Sequence, residues 1–534
     1  MVPKPKAPSG RASHPKGDKE TPLPARLLPT ILPKELFQGV PLHRCLSGFG
    51  KHWANSSGEQ YADFFFSEEV EFLEDFLSHD WATSRWSKLC ALLVVYNSKA
   101  ACIAAGITTF VWSILGKALL MPDASREQTF LEYCVFVTPV IFVYYLFLVC
   151  WQQIRSFFVS PSMVFLDKLC ISQHDMHKKE EGIAGLAAFL SNSKRMVILW
   201  SPKYFSRLWC TYELGAFLRL HRRKRVEIIP ASFGACLCIG SVLLSGSFFV
   251  FTGIDAASFS YEEFSLELAH VIRQVMATVT VFLAVWVYMK TLGSLAQLSE
   301  QLSSFSIRDA ECFCCSVGHR MPETGQQISC DRRVVYGTLS TWYSTEKGSK
   351  GTDPLELFDQ EVRSHLNVFV AQQMGNGYFP ITHFSCMLIV CRVCLSFSFY
   401  FKDVLSPATV WLEVEPEAAS PFFRCSKMIE EPVNLSLGLF VVLVLARLSG
   451  RIALNLRNRC FTMLCYVALL VLIMEGVQQL NRALLLYLRY SLYSAADWAA
   501  LAYQLVLTIF CVLGIRVLAS RSKAGRHGAT SSDH

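Results

Sequence analysis

The sequence predicts an α/β fold with a parallel sheet, combined with an all-α, polytopic membrane region of about eight helices. Hydrophobic residues make up 52% of the 534-residue chain and charged residues only 17%, a balance that differs from that of an ordinary soluble enzyme. The stretch 163–230 alternates short apolar runs with helical periodicity in the order β, α, β, α, β. That order is typical of a parallel sheet with helices on its faces.

Eight stretches of the chain are apolar over the ~20 residues that a helix needs to cross a bilayer. Cytosolic loops carry an excess of Lys and Arg, and Arg451, Arg457 and Arg459 lie in a turn that a cytosolic N-terminus would place in the cytosol. We therefore expect both termini and the α/β domain in the cytosol, while the sequence leaves the identity of the membrane open. The predicted spans lie near 99–121, 130–151, 231–252, 270–292, 380–401, 432–449, 460–480 and 498–518.

Pairs of predicted spans separate the soluble segments, so these segments lie on one side of the membrane and can form a single, discontinuous domain. The start of the chain is rich in Pro, Lys, Ser and Gly and cannot bury enough apolar surface to fold alone. We predict a solvated, disordered basic tail there, with attraction to anionic lipid as the functional alternative. The predicted organisation is a tail at 1–57, domain segments at 58–98 and 157–230, membrane hairpins at 99–151 and 231–292, a cytosolic segment at 294–379 that would complete the domain, a four-span region at 380–518 and a cytosolic tail at 519–534.

The most informative stretch is KRMVILWSPKYFSRLWCTYEL, residues 194–214. An apolar, β-branched run predicts a buried strand at 196–200, and helical spacing begins after Ser206. Trp209 and Glu213 then share one helix face, one turn apart. Ligands of open α/β sheets bind just beyond the carboxyl ends of the strands. Glu213 is therefore the first candidate for a functional residue.

Three segments resemble the Toll/interleukin-1 receptor (TIR) domain: FLSHDW at 76–81, VFLDKLCISQ at 164–173 and MVILWSPKYFSRLWCTYEL at 196–214. The third is the most specific, because it shows a strand, a Ser-containing turn with an aromatic residue and a Trp-Cys-x-x-Glu-Leu helix. The resemblance implies a flavodoxin-like sheet and signalling through homotypic contacts between TIR-like domains. It also implies a homo-oligomer, held at membrane lipid by the predicted spans.

Some TIR domains hydrolyse NAD, and the resemblance implies that Glu213 corresponds to their catalytic glutamate. A carboxylate there can stabilise an oxocarbenium-like state as the glycosidic bond opens. NAD would be the substrate, and no cofactor is required. The alternative is a non-catalytic assembly module, in which Trp209 packs in the core and Glu213 pairs with Arg207 or Arg219. The resemblance further implies a nucleotide pocket lined by Ser78, His79, Asp80, Trp81, Lys168 and Trp209.

A cluster of cysteines and one histidine follows the predicted fourth span. Such a set can hold zinc in a tetrahedral site, but its spacing is not that of paired CxxC knuckles. We assign no metal to the functional site and favour reduced structural or lipid-modified cysteines over zinc. The cluster comprises Cys312, Cys314, Cys315, His319 and Cys330, and the zinc candidates within it are Cys312, Cys315, His319 and Cys330.

The second functional hypothesis is a channel or transporter with a degenerate TIR-like regulatory domain. Arg392 and Glu475 fall inside predicted spans, where charged side chains need partners or water. Two such charges are too few to favour a transport pathway. Nucleic acid is not an expected partner, because the basic residues behind the net charge of +7 mostly flank apolar segments.

Overall fold

The computed structural model describes residues 32–54, 66–120, 130–172, 176–220, 225–260, 300–320, 325–344, 352–374 and 460–491, with short or isolated stretches elsewhere. Six strands form one sheet in the order β2-β1-β4-β3-β5-β6. The strands are β1 (Gln38–Pro41), β2 (Glu68–Glu69), β3 (Leu73–His79), β4 (Met163–Phe165), β5 (Ser193–Trp200) and β6 (Arg225–Pro230).

Helices of very different length accompany the sheet. Short 3-10 turns lie at Lys34–Leu36, Gly48–Trp53, Tyr204–Ser206 and Ile307–Asp309. The α-helices are α1 (Leu42–Cys45), α2 (Arg85–Leu120), α3 (Phe130–Ser156), α4 (Asp167–Cys170), α5 (Met176–Ala184), α6 (Leu186–Ser191), α7 (Leu208–Leu220), α8 (Ala231–Ser260), α9 (Phe313–Ser316), α10 (Asp331–Ser344), α11 (Pro354–Met374) and α12 (Cys460–Ser491).

The three strands that carry the quoted motifs, β3, β4 and β5, are parallel to one another and to β6, which confirms the α/β prediction. β3 pairs with β4 on one side and with β5 on the other, and β6 pairs with β5. From β3 the chain goes first to β4 and later to β5, on opposite sides of β3. Such a reversal opens a crevice at the carboxyl ends of the two flanking strands. The crevice here lies between β3 and β5.

A network of buried charges joins three of these strands. The guanidinium of Arg195 on β5 donates two hydrogen bonds to the Asp75 carboxylate on β3, at 2.6 and 2.7 Å, and one to Glu227 on β6, at 2.8 Å. The Tyr96 hydroxyl of α2 donates to the same Asp75 carboxylate at 2.6 Å. Asp75 and Glu227 are both buried, so each charge depends on its partner. The network therefore fixes the three strands and α2 relative to one another.

The prediction of a disordered tail over 1–57 is wrong for residues 32–54. Val40 on β1 pairs antiparallel with β4, and Trp53 is fully buried, with its indole N–H donating to the Cys45 carbonyl at 2.8 Å. Apolar residues concentrated near the end of this stretch, including Phe37 and Leu42, enter the sheet's core. Composition averaged over the whole stretch conceals them. Residues 1–31 and 55–57 of the predicted tail lie outside the described residues.

The segment from 300 to 363 packs on α7 and shares the core of the sheet. Backbone bonds join it to the start of that helix: the Glu311 N–H donates to the Ser206 carbonyl at 2.6 Å, and the Leu208 N–H donates to the Glu311 carbonyl at 3.1 Å. Ser306 is extended, with φ of −141° and ψ of 130°, and Ile307 begins a 3-10 turn. The segment therefore covers the outer side of α7, and its described residues add no strand to the sheet. We call it the covering segment.

The structure does not confirm about eight membrane helices. Among the described residues, two helical stretches are long and apolar enough to cross a bilayer, Arg85–Leu115 in α2 and Val137–Ser156 in α3. A shorter apolar helical stretch, Ala231–Leu243, begins α8. The described part of the chain thus supports two spans, and the multipass topology remains a prediction.

The remaining predicted spans are less well covered. α12 includes the span predicted at 460–480, together with the predicted intramembrane charge Glu475. The predicted spans near 270–292, 380–401, 432–449 and 498–518, and with them Arg392, lie wholly or largely outside the described residues.

Helices α2 and α3 turn large apolar side chains outward, which favours contact with lipid. Ile103 is 64% exposed and Phe142 63%. Their inner faces pack together with α8 in a second apolar cluster, which includes Ala101, Tyr144 and Phe233. α2 follows β3 and α3 precedes β4, so this apolar hairpin is itself the connection between two adjacent parallel strands.

The close contact between α7 and the covering segment predicts that a methyl group added at Gly215 of α7 lowers the stability of the fold. A Cβ at Gly215 would lie 2.0 Å from Cε2 of Phe358, whose side chain is fully buried. We expect Gly215→Ala to cost about 1–3 kcal/mol of stability, as overpacked cores do, and to expose the covering segment to protease. Thermal unfolding and limited proteolysis in detergent measure both effects. Gly240→Ala is the control, since nothing lies within 4 Å of its Cβ position; identical behaviour of the two variants would contradict the packing.

Candidate functional site

Asp80 holds together the two loops that form the mouth of the crevice. Its carboxylate accepts hydrogen bonds from the Ala82 N–H at 3.1 Å, the Thr83 hydroxyl at 3.2 Å and the Ser201 hydroxyl at 3.3 Å. An aspartate that accepts from the backbone two residues on forms a tight turn. The carboxylate is almost completely buried, and the nearest guanidinium nitrogen, from Arg207, is 4.0 Å away. These bonds make Asp80 a positioning residue for the loops after β3 and β5.

The Glu213 carboxylate reaches from α7 to the end of β3. Its Oε2 lies 2.5 Å from the Ser78 hydroxyl, and that hydroxyl lies 2.6 Å from the Tyr204 hydroxyl. Ser78 and Tyr204 are buried, whereas Glu213 keeps partial solvent exposure. The parallel pairing of β3 with β5 sets this geometry, because the turn after β5 leads directly into α7. Glu213 and Ser78, both predicted from sequence, thus meet in the crevice.

The environment of Glu213 favours its protonated form. Burial raises the pKa of Glu213 to about 8, opposed by the Ser78 hydrogen bond and assisted by the charge of Asp167. Of the two arginines proposed as structural partners, Arg207 lies beside Asp80, and Arg219 donates to the Trp342 carbonyl at 2.7 Å. The described hydrogen bond of the Glu213 carboxyl is therefore with the Ser78 hydroxyl, and with a pKa of about 8 the carboxyl group is largely neutral at pH 7.

A second group of side chains forms a wall of the crevice beside β4. The Trp81 indole N–H donates to the Asp167 carboxylate at 2.6 Å, and the Lys168 ammonium lies 4.7 Å from the centre of the Trp81 ring. The same ammonium donates to the Ala54 carbonyl at 2.5 Å, which ties the N-terminal segment to this wall. Trp81 remains 44% exposed. An aromatic face is therefore open to solvent next to a cation.

His79 is the buried member of this wall. Burial lowers its pKa to about 4, so the imidazole is neutral at pH 7. Its Nε2 lies 3.9 Å from Oδ1 of Asp167, too far for a hydrogen bond, and it has no hydrogen-bond partner among the described residues. Buried polar atoms normally have partners. This nitrogen is consequently a site for a hydrogen bond to a ligand or to water.

The contacts that position Trp209 do not include Ser78 or Glu213. Its indole N–H donates to the Asp331 carboxylate of α10 at 3.2 Å, and its ring packs edge-on against Tyr212 with centroids 5.9 Å apart. Helical spacing alone placed Trp209 beside Glu213, but the acceptor lies 122 residues further along the chain. Trp209 therefore anchors the covering segment to α7.

Two residues of the site were absent from the predicted set. Tyr204 links Ser78 to the turn after β5, and Asp167 accepts from Trp81. Both lie in quoted motifs, immediately after strands that end at the crevice. The sequence could have indicated both residues, because each is a polar residue soon after a predicted strand and the carboxyl ends of parallel strands lie at one edge of a sheet.

The cysteine cluster lies outside the crevice, in the covering segment. The ligand atoms of Cys314, Cys315, His319 and Cys330 all lie within 4.8 Å of one another. Cys312, which the sequence prediction included, belongs to another group: its Sγ lies 2.9 Å from that of Cys314, beside Asp331. The set of four that the structure assembles contains Cys314 in place of Cys312.

Comparison with known proteins supports the resemblance for the central part of the domain. The family model for the TIR domain matches residues 166–237, which include β5, α7, β6 and the start of α8. Glu213 lies within the matched range. The match does not extend over the apolar hairpin α2–α3. No curated protein and no solved structure matches the chain.

The raised pKa predicts how stability varies with pH. The pKa of Glu213 is about 8 in the folded protein against an ordinary value of 4.5, so the folded state binds more protons between these two values. Stability from this group is complete below pH 4.5 and is lost as the pH rises through about 8. We expect Glu213→Gln to remove this loss of stability. The melting temperature of the variant should therefore rise relative to that of wild type as the pH increases from 4.5 to about 8.

The control for this measurement is Glu74→Gln. Glu74 lies near the other end of β3, with its exposed side chain 2.7 Å from the Lys194 ammonium. Its curve of melting temperature against pH should run parallel to that of wild type. A Glu213→Gln curve that also runs parallel to wild type would show that Glu213 titrates normally.

Proposed function

We propose that this protein is a membrane-anchored signalling protein that acts by self-association of its TIR-like domain, and that the associated domain hydrolyses NAD at Glu213. The TIR family match supports the association, because TIR domains generally act through homotypic contacts. The contact between the Glu213 carboxyl and Ser78 in the crevice carries the catalytic part of the proposal.

Hydrolysis of NAD requires a carboxylate next to the ribose that bears nicotinamide. In NAD the ribose is bonded to a cationic nicotinamide, which leaves as neutral nicotinamide while positive charge develops on the ribose. A carboxylate next to that ribose stabilises the developing charge. Water then adds to the ribose, which yields ADP-ribose, nicotinamide and one proton. In this proposal Ser78 positions Glu213 for that role.

The protonation of Glu213 suits a site that is silent until substrate binds. A cation placed beside a carboxyl group lowers its pKa, so the nicotinamide ring favours the ionised form of Glu213. Two other groups of the crevice complement a nucleotide, namely the partly exposed aromatic ring of Trp81 and the Lys168 ammonium beside it.

Membrane anchoring supplies the means of control. The apolar helices α2 and α3 directly follow and precede strands of the sheet, so domains held in one bilayer share a thin layer beside it. Such confinement raises the effective concentration of a weak homotypic contact without new chemistry. The proposed activity therefore depends on surface density rather than on bulk concentration.

Reconstitution of the full chain in liposomes at several surface densities tests the catalytic proposal. We expect nicotinamide release, measured by chromatography, to rise more steeply than in proportion to density. Glu213→Gln should reduce it by about 10²–10³-fold, the usual cost of removing one electrostatic stabiliser of the transition state. Glu74→Gln should retain wild-type turnover.

Self-association needs its own measurement, by energy transfer between two labelled populations in the same liposomes. Energy transfer that rises with density in wild type and Glu213→Gln alike is expected. Energy transfer without turnover at any density would reject NAD hydrolysis and leave an assembly module. Absence of energy transfer would reject association.

The pH dependence gives a further prediction. The ionised form of Glu213 is the active one, and the pKa of Glu213 is about 8 in the free protein. We therefore expect kcat/KM for nicotinamide release to rise about tenfold per pH unit below that value and to level off above it, as a profile governed by one essential base does. A profile that is flat through neutral pH would assign the essential ionisation to another group.

A further inference from the structure

We propose that Cys314, Cys315, His319 and Cys330 bind a structural Zn²⁺ ion, which fastens the covering segment to α7. The four residues offer three thiol sulfurs and one imidazole nitrogen, a set typical of structural zinc. With four protein ligands the coordination is complete, so this site would be closed to substrate.

The distances between the ligand atoms fit a tetrahedral ion. Zn–S bonds of about 2.3 Å place neighbouring sulfurs about 3.8 Å apart around a tetrahedron. The Cys315 and Cys330 sulfurs lie 3.8 Å apart, the Cys314 and Cys315 sulfurs 4.0 Å, and the Cys315 sulfur lies 3.7 Å from Nε2 of His319. The S–S bond of a disulfide is about 2.05 Å, so the sulfurs have the spacing of ligands to a shared ion.

A tight reversal of the chain builds the cluster. α9 carries Cys314 and Cys315, and then Gly318 and His319 take left-handed backbone conformations, with φ of 64° and 59°. This conformation is uncommon for a residue other than glycine, and it turns the His319 N–H to the Cys314 carbonyl at 2.7 Å. The returning chain bonds back to this turn through the Ile328 N–H and the His319 carbonyl, at 3.0 Å. Cys330 is thereby brought to the other ligands.

The surroundings of the cluster also suit a bound metal. The Asp331 N–H donates to the Cys314 sulfur at 3.3 Å, and such bonds from outside the ligand set orient and stabilise metal ligands. Every cysteine that the structure describes is a free thiol. The cytosolic placement that the loop charges predict is consistent with this, because cytosolic thiols stay reduced.

The ion would act on the crevice at a distance. Asp331 directly follows the ligand Cys330, and its carboxylate accepts the Trp209 indole N–H at 3.2 Å. Trp209 lies one helical turn before Glu213 on α7. The metal thus holds the start of α10 against the helix that carries Glu213. Its role is structural, and it does not depend on whether the crevice hydrolyses NAD.

Metal analysis of the full-length protein tests this proposal. Protein expressed in zinc-supplemented medium and purified in detergent with reductant should contain about one zinc per chain. Cys315→Ser should lose most of that zinc, because the Cys315 sulfur lies within 4.0 Å of a ligand atom of each of the other three residues. Cys465→Ser is the control, because Cys465 is an exposed thiol on α12 outside the cluster, and it should keep its zinc.

A second measurement remains decisive if Cys315→Ser fails to fold. Wild type stripped by chelator should bind Co²⁺ with the absorption bands of tetrahedral thiolate coordination, and added Zn²⁺ should abolish them. Hydrogen exchange over 305–344 should rise on stripping and fall again with zinc. Absence of zinc together with absence of Co²⁺ bands would overturn the proposal. Mass spectrometry of protein purified without reductant gives a further check. A disulfide within the cluster, together with failure to bind Co²⁺ after that disulfide is reduced, would also overturn the proposal.

Discussion

The bidentate bond between Arg195 and Asp75 is the interaction on which the rest of the structure depends. It fixes β3 beside β5 although the two strands are 120 residues apart in sequence. Tyr96 and Glu227 complete the network, so that α2 and β6 are held by the same charges. Removing one partner of such a buried pair leaves an uncompensated charge, at a cost of about 3–5 kcal/mol. The same two strands pair through their backbones from Leu73 to His79, so the charge network and the sheet together set the position of the crevice.

The order of the strands explains why two residues of the predicted set lie together. Ser78, which the resemblance implied, is the penultimate residue of β3, and Glu213 lies on the helix that follows β5; parallel strands bring such ends together. The position of Trp209 could not be predicted, since its hydrogen-bond partner Asp331 follows two apolar segments of unknown path. The N-terminal residues were missed for another reason: a few core side chains such as Trp53 lie within a stretch whose average composition is that of a disordered tail.

The covering segment changes the interpretation of the matched TIR region. The family match ends at residue 237, yet α7 packs against side chains that come much later, including Phe358 and Trp342. The helix that carries Glu213 is therefore confined on both sides, by the sheet and by the covering segment. The cysteine spacing alone could not reveal the proposed zinc site, because the left-handed turn at Gly318 and His319 replaces the familiar two-residue spacer.

The place of the apolar hairpin has a practical consequence for dissecting this protein. Helices α2 and α3 form the connection from β3 to β4, and α8 approaches α2 so closely that a Cβ at Gly234 would lie 2.2 Å from the Ala91 Cα. A fragment cut at the matched boundaries would contain Glu213 but neither Ser78 nor the strand that carries it. No single excision of contiguous residues therefore isolates the crevice from the apolar helices. The sheet and the apolar helices pack against one another, so they have to be produced and assayed together.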